Sequence, residues 1–256
     1  MTDLMVLPRV SALLANHDGE MPRPRKKRVL RSKAEQRAET IEQILDAAEW
    51  LFSRNGLHGV SLRDVAEQVG IHTTLIHYYF ADKQNLFESV FARRAGASSE
   101  ARMAALEKYE EEAGDNPTVE GALHAFLDTD LDQYVERGEN WLNYATFCAR
   151  VSNTPEGAVL MDVHFDAVVL KLLEIIKRAL PQHSEEDIFW GYHFVTGALM
   201  NTFARTGRID RLSGGLCRSD DFEAVKQRMA KFMAAGFLAI EPTQRAKKAP
   251  ARRRAR

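Results

Sequence analysis

Between residues 40 and 80 the apolar positions fall into three short helical registers. Ile41, Ile44, Leu45, Ala48, Leu51 and Phe52 recur at steps of three and four until Asn55-Gly56 stops the run. This spacing predicts an amphipathic helix of about three to four turns. Ser61-x-x-Asp64 has the spacing of a capping box, with aspartate in place of the usual glutamate, and Leu62, Val65, Ala66 and Val69 give the helix after it one apolar face. Gly70 supplies the turn, where a left-handed backbone carries little steric cost. Ile71, Ile76, Tyr79 and Phe80 pack a third helix and leave Thr73, Thr74, Leu75, His77 and Tyr78 toward solvent. Two short helices, a glycine turn and the small Ala66 at their crossing describe a helix-turn-helix, whose second helix enters the major groove of DNA.

That geometry accounts for the absence of acidic residues from "HTTLIHYYF" at 72–80. A helix among base edges needs hydrogen-bonding and apolar tips and is penalised for carboxylates near phosphate. The competing reading takes His72 and His77 as ordinary surface polars. Their spacing of five residues does not place both on one helix face, so no metal site is expected.

Beyond Phe91 the pattern stays helical, with breaks at "GDNPT" (114–118), "NTPEG" (153–157), "LPQHS" (180–184) and "TGRIDRLSGG" (206–215). No alternating strand segment and no internal repeat occurs, so the fold class expected is all-α. The helices between the breaks are rich in large side chains, among them Phe126, Leu127, Trp141, Tyr144, Phe147, Phe165, Leu172 and Ile176. Such a stripe is core or pocket wall, and periodicity leaves the choice open. Near the end of the chain Ile188, Tyr192, Val195 and Leu199 share one line of a helix. Met229, Phe232, Met233, Gly236, Phe237 and Ile240 share one line of another. Both stripes are candidate faces for a second copy of the chain.

Composition narrows the class. With 256 residues and 45% hydrophobic content the chain suits one or two packed domains. Two cysteines, Cys148 and Cys217, stand in no metal-ligand spacing and suit a reducing, cytoplasmic setting. The apolar residues near Met1 are interrupted by Asp3 and Pro8-Arg9, so no export signal is read, and no run approaches the roughly 20 apolar residues needed to span a bilayer. Neither GxSxG nor HExxH nor a glycine-rich phosphate loop is present, so no enzyme and no cofactor is expected.

Net charge is −1, but it is sorted along the chain. Residues 21–37, "MPRPRKKRVLRSKAEQR", hold eight Lys or Arg against one Glu, and the last twelve, "RAKKAPARRRAR", hold seven against none, which leaves −15 on the remaining 227. Basic ends of this kind are attracted to polyanions, nucleic acid above all. The organisation expected is a disordered extension with a basic arm (1–36), a helix-turn-helix domain (37–83), a larger helical domain (84–241) and a disordered basic tail (242–256).

Residues 40–91, "TIEQILDAAEWLFSRNGLHGVSLRDVAEQVGIHTTLIHYYFADKQNLFESVF", resemble the DNA-binding region of the TetR family of one-component bacterial regulators. Ile44-Leu45-x-Ala47-Ala48-x-x-Leu51-Phe52, Gly56, Ser61-Leu62-Arg63-Asp64-Val65-Ala66, Gly70, Tyr78-Tyr79-Phe80 and Lys83 follow the family's order. The resemblance implies that Ser61, Arg63, Tyr79 and Lys83 lie at phosphates, and that Thr73, Thr74, Leu75, His77 and Tyr78 face bases or nearby backbone. The chain departs from the family where Thr73-Thr74 replace a frequent Lys-Gly and His77 replaces Tyr, which puts borrowed base preferences in doubt. Residues 38–91 carry eight acidic residues against three basic ones, Arg54, Arg63 and Lys83. Non-specific attraction to phosphate is therefore expected from the arm with Arg25, Lys26, Lys27 and Arg28.

The resemblance also implies a double-stranded operator read as a palindrome by a homodimer, a repressor role, and release by an apolar small molecule that repositions the helix from Ala81 to about Arg94. The motifs "IFWGYHF-x-x-GAL" and "FMAAGF" are similar to the C-terminal domains of a subgroup that includes regulators of fatty-acid metabolism. Candidate pocket residues are Trp141, Tyr144, Phe147, Phe165, His193 and Phe194, with Arg150 or His164 for an acidic head group. Candidate interface residues are Ile188, Tyr192, Val195, Leu199, Met229, Phe232, Met233 and Phe237. The alternative function is an architectural DNA-binding protein that uses its basic ends without sequence preference.

Overall fold

The computed structural model describes residues 32–241. The arm residues Arg25, Lys26, Lys27 and Arg28 and the tail from 242 onward lie outside the described residues. Packing divides the chain between Arg37 and Ala38. Of the first unit, residues 32–37 are described. There Ser32 and Glu35 cap each other, Ser32 Oγ accepting from the Glu35 N–H at 3.2 Å while the Ser32 N–H donates to Glu35 Oε2 at 2.7 Å.

That reciprocal cap opens α1 (Lys33–Asn55), which is longer than the three to four turns expected because the apolar stripe begins only at Ile41. α1 stops at Gly56, in the left-handed region at φ 68°. Ser61 and Asp64 form the predicted capping box of α2 (Leu62–Val69), and Gly70 at φ 77° closes it. α3 (Thr73–Tyr79) follows after a single turn. α4 (Lys83–Ala113) is capped by Asp82 and runs through 31 residues, far past the end expected near Arg94.

α5 (Val119–Glu136) starts on Thr118, whose N–H donates to the Tyr109 hydroxyl at 2.8 Å, tying the end of α4 to the start of α5. α6 (Glu139–Val151) is separated from α5 by Gly138 at φ 78°, a break that the list of expected loops did not include. α7 (Pro155–Ala179) has Thr154 as cap and proline at its first position, where the missing N–H has no helical partner to lose. α8 (Glu185–Phe203) opens on a second capping box, Ser184 with Asp187. A short α9 (Arg208–Leu212) lies within the expected loop at 206–215, and α10 (Phe222–Ala239) is capped by Asp221. Among the described residues there is no strand.

α4 packs on α5 and α7, α10 on α5 and α8, and α6 on α8. Phe52 of α1, Phe87 of α4 and Phe147 of α6 form one aromatic cluster, with edge-to-face contacts at 5.1 and 5.0 Å. Packing therefore continues across the boundary expected at residue 83, because α4 belongs to both sides of it. α8 comes so close to α10 at Gly191 that a Cβ there would stand 2.2 Å from the buried Phe237 ring. Among the described residues no helix is long and apolar enough to cross a membrane.

Candidate nucleic-acid interface and interior cavity

Ile76 is fully buried and Phe80 nearly so, and they hold α3 against the rest of the fold. This leaves Thr74, His77 and Tyr78 exposed, Tyr78 at 72%, and Thr73, Leu75 and Tyr79 half-buried. The Tyr78 and Tyr79 rings meet edge to face at 5.1 Å. His72 is the N-cap of α3: its Nδ1 accepts from the Thr74 N–H at 3.3 Å and lies 2.8 Å from Thr74 Oγ1. His72 thus has a structural task, and the Thr74 hydroxyl is engaged with it.

The residues expected at phosphates differ in what they have free. Ser61 Oγ both accepts from the Asp64 N–H and donates to Asp64 Oδ2, and the Ser61 N–H donates to the same carboxylate. Those bonds hold Asp64 below the usual carboxylate range, its backbone bond with Ser61 contributing most. Ser61 is committed to the cap, and the donors that α2 presents at its start are its first N–H groups and the exposed Arg63. Lys83 Nζ donates to the Leu57 carbonyl at 2.9 Å, which leaves two of its three N–H groups.

α1 and α4 are joined by charge. Glu49, 2% exposed, accepts from Arg93 at 2.8 Å and from Arg94 at 2.9 and 3.3 Å, and Arg93 also reaches Asp46 at 2.8 Å and Glu42 at 3.2 Å. Burial lowers the proton affinity of Arg93, but the Glu49 and Asp46 carboxylates outweigh it and raise the guanidinium above its ordinary value. The Arg94 guanidinium lies 5.1 Å over the Trp141 ring.

Two turns further along α4, Arg102 enters the wall of a cavity of about 270 Å³ that lies among α4, α5, α6, α7 and α8. Arg102 pairs with the buried Asp130, whose carboxylate also accepts from the hydroxyls of Ser98 at 2.7 Å and Tyr134 at 3.2 Å. Its guanidinium lies 4.4 Å over Phe126 and 5.6 Å over Phe165. Burial pushes the Cys148 thiol in the same wall well up, so it stays protonated.

Of the eight pocket candidates, Phe165 alone lines this cavity. Trp141, Tyr144 and Phe147 are buried in the aromatic core, where Tyr144 donates to the Phe91 carbonyl at 3.3 Å. His164 packs on Phe91 at 5.4 Å, and Arg150 is exposed and is not part of the cavity lining. His193 and Phe194 face outward, beside Phe189 and Trp190. The interface candidates on α8 are inverted in the same way: Ile188, Val195 and Leu199 are buried within the protomer, and Tyr192, Val195 and Leu199 line the cavity. On α10 Phe237 is buried, Met229 and Met233 are half-buried, and Phe232 is exposed at 74%. Arg102 and Asp130 were missed, although each interrupts an apolar stripe: Ala95, Ser98, Arg102, Leu106 on one helix and Leu123, Phe126, Leu127, Asp130, Leu131, Tyr134 on the other.

Comparison with known proteins gives the same architecture. Residues 44–90 match the family described as "Bacterial regulatory proteins, tetR family", and residues 124–236 match "Tetracyclin repressor-like, C-terminal domain". The HTH-type transcriptional regulator BetI of Escherichia coli O157:H7 is 24% identical over 166 residues, covering 65% of this chain and 83% of BetI. Among solved structures, a tetR family transcription regulator from Shewanella sp. PV-4 superposes with a TM-score of 0.53 at 17% identity, over 77% of this chain and 95% of the other. HlyIIR, a hemolysin II transcriptional regulator, does so at 0.51 and 20% identity, over 75% and 97%. Both likenesses concern the fold. With a helix-turn-helix reader at 44–90 and a repressor-like helical domain at 124–236, the chain belongs to the TetR family of bacterial transcriptional regulators.

Proposed function

We propose that the chain is a repressor that binds a two-fold-symmetric operator as a homodimer and leaves it when a small molecule fills the interior cavity. The observation that carries this reading is the continuity of α4, which begins at Lys83 beside the reader, is tied to α1 at Glu49, and reaches the cavity wall at Arg102. A ligand can shift the operator equilibrium only through a difference in affinity for two arrangements of the chain. A helix that touches both sites is the connection through which such a difference would reach the reader.

Thr74, His77 and Tyr78 on α3 are the base-reading candidates, supported by Thr73, Leu75 and Tyr79, with Arg63, Lys83 and the start of α2 at phosphates. The arm with Arg25, Lys26, Lys27 and Arg28 supplies non-specific attraction. The dimer face is the outward side of α8 and α10, where Phe189, Trp190, Phe194, Phe232 and Leu238 are exposed. Exposed apolar groups on adjacent helices favour burial against a second copy, and a two-fold partner sets two readers about 34 Å apart along DNA.

The test is selection of bound sequences from a random DNA pool by the purified protein at near-physiological salt. A symmetric site, retained with a large ratio over random DNA, is the expected result. Recovery of unrelated sequences overturns the regulator reading in favour of architectural binding through the basic ends.

A further inference from the structure

The charged side chains that line the cavity do not balance. Arg102 stands against three carboxylates, Asp130, Asp162 and Asp166. Arg102 and Asp130 are both buried and bonded to each other, so the guanidinium is already neutralised before any ligand arrives. An anionic head group would have to displace Asp130 or sit beside it, at a cost that rises in a poorly solvated wall. Burial pushes the Asp130 carboxyl up, while Arg102 and the Ser98 and Tyr134 hydroxyls pull it back. Even a protonated Asp130 leaves one guanidinium facing two carboxylates.

Those two carboxylates are differently placed. Asp162 and Asp166 lie one turn apart on α7 and are exposed, which sets them at the rim. Among the described residues neither is held in an ion pair. Inside the rim the wall is apolar, with Phe126, Tyr134, Phe165, Tyr192 and Phe203 among aliphatic and methionine side chains, and ring faces attract cations. The Arg102 guanidinium already occupies the face of Phe126, and Tyr134 and Phe203 pack edge to face on each other at 4.9 Å, whereas the half-buried Tyr192 has no such partner among the described residues. Burial holds both tyrosine hydroxyls above their ordinary value, so they remain neutral and add no charge of their own.

We propose that the cavity takes a hydrophobic cation, a quaternary or protonated amine whose charge lies by Asp162 and Asp166 and whose apolar body lies among the rings. This assignment rests on the reading of the cavity as the effector site. It replaces the acidic head group expected from Arg150 or His164, which the fold leaves outside the cavity.

The experiment is calorimetric titration of the full chain with three probes of equal chain length, decyltrimethylammonium, decanoate and decanol, each below its micelle concentration. The titrations are repeated on the Asp162→Asn/Asp166→Asn double variant, whose substitutions are at exposed positions. Decyltrimethylammonium is expected to bind at least tenfold more tightly than decanoate, and the double variant is expected to lose most of that preference while binding decanol as before. A preference for decanoate overturns the cation assignment, and a preference for the cation that survives unchanged in the double variant overturns the placement of its charge at Asp162 and Asp166; both leave the effector cavity standing. Failure of all three probes to bind overturns both.

Discussion

Glu49 of α1 and Arg94 of α4 meet through two hydrogen bonds, at 2.9 and 3.3 Å, around a carboxylate that is 2% exposed. Arg93 donates to the same carboxylate, so removing Glu49 leaves two guanidinium groups in a mostly dry seam. Glu49→Ala is expected to cost about 3 kcal/mol in urea unfolding, as loss of one partner of a buried pair does. Glu49→Gln keeps the shape and one acceptor oxygen, which can still take the bonds made at Oε2, and is expected to cost less. Equal costs for the two would show that the seam depends on the charge, which both variants lose, and not on the shape, which only glutamine keeps.

Tyr78 and His77 test the reader without touching the core. Their side chains are exposed, so alanine at either position is expected to leave melting within about 0.5 kcal/mol of the parent. Affinity for the selected operator is expected to fall about tenfold or more, with little change on random DNA. A uniform loss on all sequences would move these residues from base reading to backbone contact.

Phe194 tests the outward face of α8, where its ring stacks on Trp190 at 6.2 Å and is 58% exposed. Phe194→Glu is expected to give a folded monomer in sedimentation, with operator affinity lost by more than a hundredfold. A dimer that survives this substitution would place the interface elsewhere.

Glu110 tests the packing of α4 on α7. The Lys171 ammonium at 2.6 Å, aided by Arg178, holds its carboxyl below the ordinary value of 4.5. A depressed carboxyl contributes stability above its unfolded value and loses it as pH falls through the lower folded value. Glu110→Gln is therefore expected to be less stable than the parent at pH 7, by about 1 kcal/mol, with the gap closing as pH falls below about 4. A gap independent of pH would count against an ionic origin.

The reader was legible because its signals are local. Ser61, Gly70 and the apolar positions of three short helices each specify a cap, a turn or a face within a few residues. α8 was not legible in the same way. Ile188, Tyr192, Val195 and Leu199 form one apolar line, and Phe189, Trp190, His193 and Phe194 form another nearly as apolar. A helix apolar on most of its circumference does not declare which side faces in. The close approach of Gly191 to Phe237 makes that choice, and it depends on a residue 46 positions away. Most of the cavity lining was missed for a related reason: among the expected pocket residues Phe165 reaches the wall, but Tyr144 and Phe147 fill core, and the polar wall residues Arg102 and Asp130 are interruptions whose partnership appears only when α4 meets α5.

The uninterrupted length of α4 has a mechanical consequence. Its 31 residues span about 46 Å, and the 19 steps from Lys83 to Arg102 span about 28 Å. A rod of that length, tilted by about 5° around its cavity end, carries its far tip through roughly 2.5 Å. In the homodimer proposed above the two tips would swing oppositely, and the gap between readers would change by up to about 5 Å, more than the length of a hydrogen bond. On the proposed mechanism, an adjustment too small to disturb the packing around Arg102 would thereby be amplified into a misfit with the pitch of the double helix.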